Sequence, residues 1–139
     1  MILLDTNVLS ECLRPQPDGT VLNWLSRQPR TSLFTATLVE AELLYGVQLL
    51  PESARKVELL QAVQAIFNED FAGRVLSFDR EAAQAYAIIA SARKTAGKPI
   101  SQMDAMIASV AQTRGATLAT RNTKDFVDCG IELVNPWNE

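Results

Sequence analysis

The strongest constraint on this chain is an alternation. Short continuous apolar runs, "ILLD" (2–5), "TSLFTA" (31–36), "RVLSF" (74–78), "ATLAT" (116–120) and "IELVN" (131–135), are separated by longer stretches with helical spacing. A strand buried on both faces reads as an unbroken apolar run, whereas a half-exposed strand alternates. Strands of the first kind, interleaved with helices, need crossover connections and a mostly parallel central sheet with helices on both sides. The fold class is α/β, a three-layer α/β/α sandwich. With no flexible linker and no internal repeat, residues 1–139 read as a single domain.

The intervening segments supply the helices. "NVLSECL" (7–13) carries an apolar face and stops at the Pro/Gly loop "RPQPDG". Asp18 is placed to cap a helix over 20–28, and Thr37 to cap one over 38–50. Residues 52–71 read as one long amphipathic helix after Pro51. Asp79 caps a helix over 80–97, and a further helix spans 100–115; each closes on a glycine. Residues 122–130 read as a short turn or helix.

Composition narrows the chemistry. The chain has no histidine, which excludes Ser-His-Asp and Cys-His catalysis and zinc-histidine sites within it. Cys12 and Cys129 form no metal-binding pattern, and a reduced pair is expected. The opening residues lack a positively charged leader, and no apolar run approaches membrane-spanning length, so a cytoplasmic protein is expected. The net charge is −3. A polyanion would have to be held by a local cluster of cations.

In parallel α/β sheets ligands bind at the carboxyl ends of the strands. Four carboxylates there or on adjoining helices sit in apolar company. Asp5 ends the first strand, where capping the next helix and binding a metal are equally good uses. On the helix 38–50 both Glu40 and Glu42 border apolar residues, and periodicity does not choose between them. Asp104 stands in the helix 100–115 three residues after Ser101, in a pattern close to a capping box. Asp125 follows the fourth strand, three residues after Asn122. Carboxylates converging without a cation would repel one another and be partly protonated. A hard divalent ion, Mg²⁺ or Mn²⁺, removes the repulsion and prefers such oxygen ligands.

The motifs, taken in order, resemble one family. "LLDTNVLSE", "VEAELLYGV", "MDAMIASVAQTRGATLAT", and "TRNTKDF" with the final "NPW" are similar to the successive signatures of PIN-domain ribonucleases. The likeness is greatest to VapC-type toxins of VapBC toxin–antitoxin modules, including the FitB-like branch. It implies a PIN-type fold, Mg²⁺ or Mn²⁺ as cofactor, RNA as substrate, a VapB-like antitoxin as inhibitor, and a homodimer. It selects Glu42 over Glu40 and carries the family's acidic positions onto Asp5, Glu42 and Asp104. Many relatives have Asp where this chain has Asn122, so Asn122 or Asp125 completes the site.

The expected mechanism follows. Asp5 and Asp104 hold the metal, and Glu42 ligates a second ion or orients the attacking water. Thr6, Asn7 and Thr120 fix waters or phosphate oxygens, and Thr6 or Asn7 takes the capping role. Arg14, Arg80, Lys94, Lys98, Arg121 and Lys124 are candidates for a cationic rim, with Arg121 foremost. The helices 7–13, 20–28 and 38–50 offer an antitoxin groove or a dimer face. Two rivals are a haloacid-dehalogenase-like phosphohydrolase, which wants Asp-x-Asp where this chain has Asp5-Thr6-Asn7, and a non-catalytic PIN-fold binding module.

Overall fold

The computed structural model describes all 139 residues. Five strands, β1 (Ile2–Leu4), β2 (Leu33–Ala36), β3 (Val75–Leu76), β4 (Thr117–Ala119) and β5 (Leu133–Val134), form one sheet in the order β3-β2-β1-β4-β5. Every pairing is parallel. β1 is central, with Leu3 opposite Phe34 on one side and Leu118 on the other. The chain builds outward from β1 to β3, then returns to build outward on the other side. The crevice at the carboxyl ends of β1 and β4 is thus the topological switch point, where open α/β sheets bind ligands.

Six helices cover the sheet: α1 (Thr6–Cys12), α2 (Gly19–Ser26), α3 (Thr37–Gln48), α4 (Ala54–Ala65), α5 (Arg80–Thr95) and α6 (Gln102–Thr113). Right-handed crossovers, the rule in parallel sheets, would put the helices preceding β3 on one face and α5 and α6 on the other. The packing agrees: α1 packs on α2 and α3, α3 on α4, and α5 on α6. α3 also touches α6, so the helices carrying Glu42 and Asp104 meet. Leu3, Leu4, Ile107, Leu118 and Phe126 are fully buried between the layers. Burial of each stabilises the fold by about 1.5–3 kcal/mol.

The polar punctuation acts largely as expected. Asp18 accepts from Thr20 N–H at 2.8 Å, Asp79 from Ala82 N–H at 2.9 Å and the Ser101 hydroxyl from Asp104 N–H at 3.1 Å. Three expectations need correction. Thr37 is the first residue of α3 and Ala36 holds the cap position without a side-chain bond, because β2 runs straight into the helix. The segment 52–71 is not one helix. α4 gives way to a π turn over Ile66–Asp70, closed by Phe71 N–H on Ile66 C=O at 2.9 Å, with Phe67 and Phe71 both in the core. The capping of α1 falls to Asp5 itself, as described below. Cys12 and Cys129 are both free thiols. No helix is long and apolar enough to cross a membrane.

Candidate active site at the carboxyl edge of the sheet

Asp5 is the centre of the site. It leaves β1 with extended backbone, and its Oδ1 accepts from Thr6 N–H at 2.8 Å, which makes it the N-cap of α1. Its Oδ2 accepts from the Thr120 hydroxyl at 2.8 Å. Of the two uses open in the sequence, the structure shows the cap. The expectation that Thr6 or Asn7 does the capping does not hold.

Thr6, Asn7 and Thr120 form a lattice around that carboxylate. Thr120, fully buried just past β4, also accepts from Asn7 Nδ2 at 3.2 Å and from Asn122 N–H at 3.2 Å. Asn7 Oδ1 accepts from Arg121 N–H at 3.2 Å, and Asn7 Nδ2 lies 3.4 Å from Asp5 Oδ2. Thr6 donates its hydroxyl to Glu42 Oε1. That bond separates the two glutamates of α3: Glu42 is tied to the residue beside Asp5, and Glu40 has no such tie.

The electrostatics mark the same group. Burial lifts the Asp5 carboxyl from 3.8 to about 6. The bonds from Thr120 and Thr6 oppose the rise, while the charges of Asp104 and Glu42 add to it. Asp104 is also raised, first by burial and then by Asp125, against a lowering bond to Ser101. The four carboxylates thus form a chain of influence, with Asp5 between Glu42 and Asp104, and Asp104 beside Asp125. Asp104 and Asp125 line one cavity of about 230 Å³. Asn122 is exposed, and its side chain makes no hydrogen bond within the protein.

No three Asp, Glu, His or Cys side chains gather tightly enough to cage an ion by themselves. This does not count against magnesium, which typically takes one or two carboxylates and keeps several waters. The donor set is all oxygen, and the charges of Asp104 and Glu42 both act on the buried Asp5 carboxyl. A hard divalent ion fits such a set.

Several residues that matter here escape sequence reasoning. Arg93 is buried, and its Nε donates to Lys98 C=O at 2.7 Å while Nη1 donates to the carbonyls of Asp125 at 3.0 Å and Val127 at 2.9 Å. It fastens the loop before α6 to the 3-10 turn Thr123–Phe126, and so sets Asp125 against Asp104. Buried Glu11 accepts from Arg14 and from Asp18 N–H at 3.0 Å, holding the loop after α1. Its i,i+3 spacing to Arg14 was the one visible signal. That pairing also withdraws Arg14 from the cationic rim, as pairing with Asp128 at 4.0 Å engages Lys98. Arg80, Lys94, Arg121 and Lys124 remain exposed and unpaired.

The fold and site define a class, and comparison agrees: the PIN-domain family pattern matches residues 2–130, and the chain belongs to that family. Within the family it is similar to the toxin FitB of Neisseria gonorrhoeae, 41% identical over 139 residues that cover all of both chains. It is 37% identical over 137 residues to the VapC ribonuclease Y4jK of Sinorhizobium fredii, covering 99% of this chain and 98% of that one. A solved structure of FitAB bound to a DNA fragment superposes with a TM-score of 0.92 at 41% identity, covering 99% of this chain and 96% of that one.

Proposed function

We propose that this protein is a metal-dependent endoribonuclease and the toxin of a toxin–antitoxin pair. The observation that carries the reading is Asp5: a buried carboxylate at the switch point of the sheet, raised to about 6 and neighboured by Glu42 and Asp104. One relative above is named a ribonuclease, and a more distant one from Shigella flexneri, 27% identical over 138 residues, a tRNA(fMet)-specific endonuclease.

Asp5 and Asp104 would hold Mg²⁺ or Mn²⁺, with Glu42 completing the set and Asp125, rather than Asn122, as the fourth acidic group. When bound, the metal lowers the pKa of a water and stabilises charge on the phosphate. The protein's own groups do the rest. Thr120 and Thr6 N–H hold the Asp5 carboxylate by one oxygen each, leaving further lone pairs on both for a ligand. The Thr6 hydroxyl fixes Glu42 in reach of the same crevice, where it can accept a proton from the attacking water. Asn7 locks Thr120 and the main chain of Arg121, so that the lattice is set before substrate arrives.

The same acidity suits inhibition. A groove of about 350 Å³ runs from Glu42 and Thr6 along α1, α3 and α4, over Leu13, Leu43, Val47 and Leu59. Its composition suits an apolar antitoxin segment ending in a cation that pairs with Glu42. Exposed Tyr45 on α3 and Leu49 just past its end offer apolar area for a homodimer. The reading places the work in the cytoplasm, where the free thiols of Cys12 and Cys129 remain reduced.

The test is cleavage of RNA by antitoxin-free protein with Mg²⁺, with EDTA as control. Wild type should cut only with the metal, and folded Asp5→Asn and Asp104→Asn should not cut. Undiminished cleavage by either variant would retire the site.

A further inference from the structure

We propose that Arg121 and Trp137 together form a subsite for single-stranded RNA flanking the scissile phosphate. The proposal rests on the ribonuclease reading and adds to it the place where the strand is gripped.

The site itself is acidic and must be approached by a polyanion. Of the chain's 13 Lys and Arg residues, Arg14, Lys56, Lys98 and Arg114 are ion-paired. Arg74 and Arg93 donate to main-chain carbonyls. Among the others, Arg121 alone is bonded into the site, through its N–H on Asn7 Oδ1 at 3.2 Å. It directly follows Thr120, which holds Asp5.

Its side chain is also built in. The guanidinium carbon lies 5.0 Å from the centre of the Trp137 ring. The turn that carries Trp137 is itself held: the Trp137 main-chain N–H donates to Asn135 Oδ1 at 2.9 Å, and Asn135 Nδ2 donates to Arg121 C=O at 3.4 Å. The short 3-10 turn Pro136–Asn138 that carries the ring packs on α2. The result is a closed loop of contacts from Arg121 main chain through Asn135 and Trp137 back to the Arg121 guanidinium.

That guanidinium is exposed, and none of its N–H groups bonds to the protein. Stacking on Trp137 restrains its orientation without using its donors. A planar cation restrained in this way can take a phosphate on its edge and a base on its open face, a combination available only to unpaired nucleotides. A duplex keeps its bases stacked inward and offers phosphates alone. The proposed ligand is therefore a single-stranded segment, with one phosphate and one base engaged beside the scissile bond.

The experiment uses the full chain with a short fluorescein-labelled oligoribonucleotide of mixed sequence, single-stranded or annealed to its complement. Binding is read by anisotropy in EDTA across a salt series, and cleavage with Mg²⁺. Arg121→Ala should weaken single-strand binding about tenfold and lower the salt slope by about 0.7. It should raise KM with little change in kcat. Arg121→Lys should keep the slope yet recover only part of the affinity, because it keeps charge without the plane. Trp137→Phe should stay near wild type and Trp137→Ala should weaken binding. Arg121 is exposed, so its variants carry the test even if Trp137→Ala fails to fold.

The proposal is overturned if folded Arg121→Ala keeps wild-type KM, affinity and salt slope while wild type cuts RNA. It is equally overturned if the variant loses as much affinity for duplex as for single strand. A wild type that neither binds nor cuts RNA would instead overturn the ribonuclease reading, and the subsite with it.

Discussion

Asp5→Asn should abolish Mg²⁺-dependent cleavage and make the metal-free protein more stable. The carboxyl rises from 3.8 to about 6 on folding, so the folded state holds its proton more tightly than the unfolded state. The Asp5 contribution is therefore complete below pH 3.8, declines as pH rises through about 6, and is absent at neutral pH. At about 1.36 kcal/mol per pH unit, the difference is about 3 kcal/mol. The residue is only 5% exposed, so solvent screening removes little of it. Asparagine carries no charge and can still accept from Thr6 N–H or Thr120, but it must find a partner for its amide group. A gain of roughly 2 kcal/mol at pH 7.5 is expected, or about 6 °C in Tm for a domain of this size. Thermal unfolding in EDTA between pH 4 and 8 measures it. Wild type should lose stability relative to Asp5→Asn as pH rises, and Mg²⁺ should recover it for wild type alone. Parallel pH curves for the two proteins would refute the reasoning.

Thr120→Val removes the hydroxyl that holds Asp5 Oδ2, so the Asp5 carboxyl should titrate higher still, as read by carboxyl NMR in metal-free protein. Asp125→Ala should reduce RNA cleavage more than Asn122→Ala, because Asp125 faces Asp104 and the Asn122 side chain bonds to nothing. The opposite order in a cleavage assay would remove Asp125 from the site. Arg93→Met leaves three carbonyls without their charged donor and should cost about 3–5 kcal/mol by urea unfolding, with Arg93→Lys recovering part of it. A loss under 1 kcal/mol would mean that other groups hold that loop.

The alternation of apolar runs and helical stretches determined the parallel α/β sheet, because burial on both faces leaves its mark on each strand separately. Capping by Asp18, Asp79 and Ser101 was legible for the same reason: a cap bonds within a few residues of itself. The motifs made Asp5, Glu42 and Asp104 candidates through a family resemblance, and in the structure the charges of Asp104 and Glu42 act on Asp5.

What the sequence left open depended on contacts between distant segments. The choice of Glu42 over Glu40 rests physically on a hydroxyl 36 residues away, on Thr6. Asp5 is both a cap and a member of the site because Thr120, 115 residues on, arrives on the neighbouring strand. Arg93 gives no local signal, since its acceptors are backbone carbonyls that only the tertiary fold delivers. Arg121 stood foremost among the cations because it follows Thr120 in the chain, but its stacking partner was not legible, since only the fold brings Trp137 beneath it. Periodicity and capping are properties of neighbours in the chain. The setting of a carboxylate's charge, and of the cation beside it, belongs to neighbours in space.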